Sequence, residues 1–168
     1  MLLLLKSLAE IRFDKLMCVY TESNAENAAE FYPREENGFA LNRVEVDFYQ
    51  YLREVFFAVD GAVYAVWAEK GEYRSALRLE PYRDGLLLEA LETHPEYRAM
   101  GYAKKLIRSV QSTLRERGAV VLYSHVGKGN TASLKTHLAC GFQRVSEHAV
   151  YIDGSVTNRS CTMLYMQE

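Results

Sequence analysis

The chain has 168 residues, 49% of them hydrophobic and 25% charged, which is the mix of an ordinary globular protein and excludes a disordered tail, a collagen or a disulfide scaffold. The length suits a single domain over residues 1–168, with enough chain to bury roughly 70% of its unfolded surface without staples. Lys and Arg total 20 and Asp and Glu total 22, a net charge of −2, far from the basic excess of a nucleic-acid module. That sum is a cancellation: residues 1–96 hold ten basic and eighteen acidic side chains, and residues 97–168 hold ten basic and four acidic ones. A basic half suits an anionic ligand, and an acidic half a cationic one.

In chain order, the apolar run Met1–Leu5 is too short for a secretory signal or a membrane span, so Leu2–Lys6 is expected as a buried first strand. Ser7 and Glu10 form a capping-box pattern that opens a helix. Ile11, Leu16 and Val19 give that helix an apolar face, and Glu22, Glu26 and Glu30 continue or restart it as a solvated face until Pro33 breaks it. A second helix is predicted over Leu41–Arg53. Val55–Asp60 and Ala62–Glu69 then read as strands joined at Asp60-Gly61, a hairpin signal. A second Asp-Gly pair, Asp84-Gly85, joins Arg74–Arg83 to Leu86–Thr93.

The second half alternates differently. Ala103, Leu106, Ile107, Val110 and Leu114 make a helical stripe, and Gly118 suits its C-terminal cap. Ala119–Val126 is a short apolar strand, Asn130 caps a helix over Thr131–Cys140, and Gly141 ends it. Phe142–Ile152, a turn at Asp153-Gly154 and Arg159–Met166 form a closing hairpin. This order is a mixed α/β (α+β) domain around one central sheet. Cys18, Cys140 and Cys161 are odd in number and lack CxxC spacing, which suggests no metal site and no disulfide framework; reduced thiols suit a cytoplasmic protein.

The segment Leu91–Lys105 carries the sharpest chemistry. A strand runs into Pro95, a short loop holds Arg98 and Gly101, and a helix follows. Exposed amides at a helix N-terminus bind phosphate, and Gly101 and Ala103 let a ligand approach the backbone. Lys104, Lys105 and Arg108 add positive charge over the same turns. In Arg98-Ala-Met-Gly101-Tyr-Ala103, which fits (Arg/Gln)-x-x-Gly-x-(Gly/Ala), and in Asn130-Thr-Ala-Ser133, His137 and Gly141-Phe142 further on, the chain resembles the GNAT-type acyl-CoA N-acyltransferases. The two motifs lie in register, one helix and one strand apart, and the resemblance covers roughly residues 85–168.

The resemblance implies a central, mostly antiparallel sheet, flanked by helices and split between its fourth and fifth strands, with acetyl-CoA as cosubstrate. The pantetheine would pair with Leu91, Glu92 and Thr93. The pyrophosphate would sit on the run Arg98, Ala99, Met100, Gly101, Tyr102, Ala103 and Lys104, and Asn130 would reach the pantetheine arm. Where the family commonly has a Tyr that protonates the departing thiolate, this chain has His137, which can donate a proton near neutral pH; a thiolate of modest basicity can also leave without a dedicated acid. The base for the attacking amine is expected to be His125 or, next, Glu92. Glu89 and His94 share that fourth strand, where alternation puts Glu89, Leu91 and Thr93 on one face unless a bulge intervenes.

The implied activity is transfer of an acetyl group from acetyl-CoA to a primary amine of a small molecule or peptide, by direct attack in a ternary complex. The acidic stretch Glu22–Glu36 falls where the family builds its acceptor wall, and His148 and Tyr151 lie in a hairpin that can reach the same place. The alternative is a CoA-binding module without turnover. Neither reading calls for a nucleic acid or a membrane, and both leave a homodimer open.

Overall fold

Seven strands form one sheet with helices on both faces in the computed structural model, which describes residues 1–167. The elements in chain order are β1 (Leu2–Leu5), α1 (Phe13–Val19), α2 (Thr21–Phe31), α3 (Asn37–Tyr51), β2 (Val63–Glu69), β3 (Glu72–Tyr82), β4 (Gly85–Thr93), α4 (Tyr102–Arg115), β5 (Val120–Gly127), α5 (Thr131–Ala139), β6 (Gln143–Ser146), β7 (Ala149–Val150), β8 (Val156–Thr157) and β9 (Ser160–Gln167). The sheet order is β1-β2-β3-β4-β5-β9-β6, and β7 and β8 form a separate ribbon. Every neighbouring pair in the large sheet is antiparallel except β4–β5, which is parallel. The mixed fold expected from the sequence is therefore present.

Alternation along the strands assigns the faces. Leu77, Leu79, Leu88 and Leu122 pack with Leu106, Ile107 and Val110 of α4 on one side. Tyr64, Val66 and Ala76 pack with Leu16 and Val19 of α1, and with Leu52 and Phe56 after α3, on the other. Each fully buried Leu of this kind contributes roughly 1.5–3 kcal/mol over leaving it exposed.

The sheet splits between β4 and β5. Only Leu86–Leu88 pairs with Leu122–Ser124, and beyond Leu88 the strands part. At the closed end, a Cβ on Gly85 would lie 2.3 Å from the Val121 carbonyl oxygen, so the backbones meet where no side chain fits. On the open limb, Ala90 sits at φ +50 and the β3–β4 register shifts between Ala76 and Arg78, a bulge that turns β4 away from its neighbour. The Tyr20 hydroxyl donates to the Ala90 carbonyl at 2.7 Å, and the Tyr64 hydroxyl donates to Tyr20 at 2.7 Å. Both tyrosines are buried, so the displaced carbonyl keeps a partner away from water.

Several sequence expectations change. The strand predicted at Val55–Asp60 and the hairpin at Asp60-Gly61 do not form, while the expected strand Ala62–Glu69 appears as β2: the chain stays helical through Leu52–Phe56. Leu52 and Phe56, four apart, are fully buried while Val55 is exposed, so packing on a helical period overrides the β propensity of Val55–Val59. The hairpin lies ten residues on, at Lys70-Gly71, with φ values of 53 and 81, between β2 and β3. The Asp84-Gly85 hairpin forms with its turn at Arg83-Asp84 and Gly85 paired to Tyr82. The Ser7–Glu10 box caps only one short turn, with the Glu10 carboxylate accepting from the Lys6 amide at 2.6 Å. The closing hairpin is more elaborate: β9 inserts between β5 and β6, and the β7–β8 ribbon interrupts the return.

Gly85→Ala should destabilise the fold by roughly 1–3 kcal/mol through overpacking at the closed end of the split. Chemical denaturation measures this, and an unchanged midpoint would disprove the close approach.

Candidate functional site

At the mouth of the split lies a cavity of about 860 Å³, lined by Leu91, Glu92 and Thr93 of β4, the run Arg98–Lys104, and Asn130. Every position expected to hold a cofactor is thus brought to one trough. The loop before α4 has Ala99 at φ 59 and Gly101 at φ 81; such alternation of handedness lets successive amides converge on an anion. Nothing lies within 4 Å of a Cβ added at Gly101, so glycine is required there for its backbone angle rather than for room. Behind it, the 14-residue α4 directs the positive end of its dipole at the loop. A helix N-terminus preceded by a nest, beside a trough of this size, fits a pyrophosphate with its linear arm.

The charges around the cradle are only partly those expected. Lys104 lines the cavity. Lys105 instead sits 4.5 Å over the Trp67 ring, and Arg108 donates to the Ala139 carbonyl at 3.0 Å, so both are engaged in packing. The Arg98 guanidinium pairs with the Glu22 carboxylate. Glu22, Ser23 and Glu26 of α2 also line the trough, although sequence reading placed the glutamates on a solvated face; their four-residue spacing marks one helical face. Asn130 caps α5, its Oδ1 accepting from the Ser133 amide at 3.0 Å. Burial pushes the Glu92 carboxyl up, against the Ser23 hydroxyl and Arg98, so Glu92 faces α2 and the trough.

A smaller cavity of about 170 Å³ lies at the split, a passage lined by Glu89, Ala90, Leu91, His125, Asn130 and His137 among others, and it shares Leu91, Asn130 and Ser133 with the trough. Its lining takes His137 from α5 and His125 from β5. On the α5 side, His137 is 1% exposed. Its Nδ1 lies 2.8 Å from the Ser133 carbonyl, which places the ring proton there, and Nε2 is buried without a partner among the described residues. Burial lowers its pKa, so His137 rests as a neutral imidazole with a free lone pair. On the other side, His125 Nε2 lies 3.0 Å from the Val150 carbonyl and must carry its proton there. Nδ1 is 3.4 Å from the Thr162 hydroxyl, which donates to the His148 carbonyl at 2.8 Å. Burial lowers the His125 pKa as well. Its ring meets Tyr82 and Tyr151 edge-on, at 5.6 and 5.3 Å, and it ties the β7 ribbon to β5.

Sequence reasoning passed over a charged cluster on this second face. Arg78 of β3 lies opposite Glu89 of β4 in register, with 3.1 Å between guanidinium and carboxylate. Glu80, two residues on, is buried. Its carboxyl is pushed up to about 7, by burial first and then by the hydrogen bond and charge of Glu89, with Arg78 opposing. Charged residues alternating inside an apolar strand were the available signal, and the turn at Arg83-Asp84 fixes what they oppose. The expected shared face of Glu89, Leu91 and Thr93 does not form. The Ala90 bulge leaves Glu89 with Arg78 and turns Leu91 toward the α4-side core. His94 Nδ1 accepts from the Glu96 amide at 3.2 Å, and the Cys140 thiol is buried and raised by that burial. Among the described residues, no group of three His, Cys, Asp or Glu is placed to hold a metal, and no helix is long and apolar enough to cross a membrane.

Comparison with known proteins agrees with this geometry. The profile of the Acetyltransferase (GNAT) family matches residues 28–142. The [ribosomal protein bS18]-alanine N-acetyltransferase of Haemophilus ducreyi is 33% identical over 86 residues, which is 49% of this chain and 59% of that relative. The chain therefore spans about three fifths of that relative's length, 59%. Among solved structures, the PaiA N-acetyltransferase from Thermoplasma acidophilum in complex with coenzyme A superposes with a TM-score of 0.66 at 14% identity, covering 99% of each chain. The ribosomal-protein-S18-alanine N-acetyltransferase from Escherichia coli superposes at 0.59 with 18% identity, covering 99% of this chain and 94% of that one.

Tyr20→Phe removes the donor to the bulge carbonyl and should cost roughly 1–3 kcal/mol, read by chemical denaturation; no loss would mean that water replaces the hydroxyl. The raised Glu80 carboxyl also sets a pH dependence. A carboxyl whose folded pKa of about 7 exceeds its unfolded value binds a proton more tightly when folded, so its stabilisation is full in acid and is lost as pH rises through 7. The melting temperature should fall between about pH 5 and pH 8, and Glu80→Gln should flatten that slope. An unchanged slope in the variant would refute it.

Proposed function

The chain belongs to the acetyltransferase (GNAT) family, and on that premise we propose that it transfers an acetyl group from acetyl-CoA to a primary amine by direct attack. The observation that carries this reading is that the trough at the α4 N-terminus adjoins the passage at the β4–β5 split: Leu91, Asn130 and Ser133 line both cavities. An anionic cosubstrate held on one face would present its thioester in the passage, and an amine would arrive from the other face. The amides of the Arg98–Lys104 run hold the pyrophosphate, and the β4 backbone at Leu91–Thr93 pairs with the pantetheine.

Orientation does most of the work in such a site, since a well-placed pair of reactants can remove about 7–11 kcal/mol of barrier. Backbone donors on the unpaired edge of β4 polarise the thioester carbonyl. His137 stands beside the leaving sulfur. With its Nδ1 proton bound to Ser133, it passes a proton onward only after Nε2 has received one, so it acts as a relay from the attacking nitrogen to the thiolate. A peptide α-amine is the first acceptor class to try, because two relatives are named for acetylating an alanine of a ribosomal protein; small amines follow. The three cysteines are free thiols, which supports a cytoplasmic setting.

Calorimetry should show CoA binding that Gly101→Val weakens about tenfold, the cost of roughly 1–2 kcal/mol for a side chain at positive φ. Thiol release from acetyl-CoA should then depend on added amine, tested with alanine-initiated peptides, spermidine and lysine. No CoA binding would sink the proposal, and binding without amine-dependent thiol release from any of them would favour a CoA-binding module. His137→Phe should lower kcat roughly tenfold or more with KM unchanged; an unaltered kcat would leave His137 a packing residue.

A further inference from the structure

We propose that Arg74, a buried and unpaired guanidinium on β3, is the fixed positive charge behind the phosphate cradle, stacked on the Tyr97 ring so that it positions the loop and offsets the charge of the cosubstrate's pyrophosphate. The assignment rests on the acetyl-transfer reading and deepens it. β3 carries two secluded arginines, and they differ in one respect. Arg78 meets the Glu89 carboxylate at 3.1 Å. Arg74 is 7% exposed, its Nε and Nη1 are buried without a hydrogen-bond partner among the described residues, and it makes no ion pair among them. A guanidinium stays charged inside a protein, and an unpaired charge away from water is costly to the fold. The arrangement suits a ligand that brings the missing negative charge.

The backbone aims the side chain at the cradle. Trp67 of β2 opposes Ser75 and Ala68 opposes Tyr73, which leaves Arg74 as an extra residue, and such a bulge redirects a side chain. The Arg74 carbonyl accepts from the His94 amide at 2.9 Å, which ties the bulge to the strand end that leads into the turn Pro95–Tyr97. The Arg74 guanidinium carbon lies 3.5 Å from the centroid of the Tyr97 ring. Tyr97 lines the trough and Arg74 does not, so the ring is the contact between the cation and the cavity wall. The far end of the loop is fastened to the same β2–β3 hairpin. The Tyr102 hydroxyl donates to the Glu69 carboxylate at 2.5 Å, and the Tyr97 and Tyr102 rings meet edge-on at 6.2 Å. The left-handed Ala99 and Gly101 are thus held between two anchored tyrosines.

The other cations near the cradle are committed elsewhere or exposed. Arg98 pairs with Glu22, Lys105 lies over Trp67, Arg108 bonds the Ala139 carbonyl, and Lys104 is exposed to water. Water and salt screen an exposed charge, whereas a buried one is felt farther. No carboxylate answers Arg74 closely. The Glu69 carboxyl is lowered first by the Tyr102 hydroxyl and the Glu72 carboxyl first by Lys15, with Arg74 contributing less to each. Arg74 also needs no ordering when a ligand arrives, since the bulge and the ring already hold it. It touches no reacting atom, so it is a positioning residue that acts on cosubstrate affinity.

Calorimetry with CoA decides it and needs no acceptor. Arg74→Met should weaken CoA binding about tenfold, while its midpoint of chemical denaturation stays at or above that of the unsubstituted protein, because an unpaired buried charge has been removed. Arg74→Lys keeps the charge and should bind CoA within about threefold of the unsubstituted protein. Unaltered binding in Arg74→Met, or binding in Arg74→Lys no better than in Arg74→Met, overturns the assignment while leaving acetyl transfer standing. A lowered midpoint in Arg74→Met together with weaker binding would mark a packing role and overturns it too. In the unsubstituted protein labelled with 15N-arginine, the Arg74 Nε–H resonance should shift on saturation with CoA. A resonance that CoA leaves unmoved overturns the assignment even where neither variant folds. Failure of the unsubstituted protein to bind CoA overturns both this assignment and the acetyl-transfer reading.

Discussion

The geometry of this protein depends on one displaced carbonyl. At Ala90, β4 carries an extra residue with a left-handed backbone, and its carbonyl leaves the sheet ladder for the buried side of α1. Left unsatisfied there, such a group would cost roughly 1–3 kcal/mol and the strand would return to its neighbour. The Tyr20 and Tyr64 hydroxyls supply the missing partner in series. These tyrosines come from the end of α1 and from β2, both in the first half of the chain. The first half of the chain thus builds the aperture that the second half uses.

The charge asymmetry between the halves acquires a structural meaning in the same region. Some of the basic excess is spent on packing: Lys105 lies over Trp67 and Arg108 ties α4 to the end of α5. The anion-binding character of the cradle therefore comes largely from backbone amides and the α4 dipole, which do not depend on side-chain identity. The acidic half contributes in two places: on α2, where Glu22 meets Arg98 at the trough, and on β3–β4, where Glu80 and Glu89 stand over Arg78.

How much of this was legible depends on whether the signal was local. The α4 stripe, the Asn130 cap and the β5 run are local, and the helix and strand appear where the pattern puts them. The cradle positions gather because they lie on consecutive residues. The region after α3 was misread because Val55–Val59 has strand propensity, and only the burial of Leu52 and Phe56 against the sheet makes it helical. The bulge at Ala90 has no sequence mark, since alanine is an unremarkable residue in an unusual conformation, so the facing of Glu89, Leu91 and Thr93 could not be counted. The charged cluster was within reach: Arg78 and Glu80 are polar intrusions in an apolar strand, and the hairpin turn sets Arg78 against Glu89. The role of Tyr20 was beyond reach, because it joins residues 70 apart in the chain.

The close approach at Gly85 has a consequence for how a ligand is received. With the Val121 carbonyl against the Gly85 backbone the two strands are pinned at their apex, and with Ala90 tied back by Tyr20 the open limb is pinned as well. The gap is a fixed notch rather than a hinge, present before anything enters it. Ordering entropy on association then falls on the flexible visitor and not on the sheet, the arrangement by which preorganised sites retain more of their contact energy as affinity.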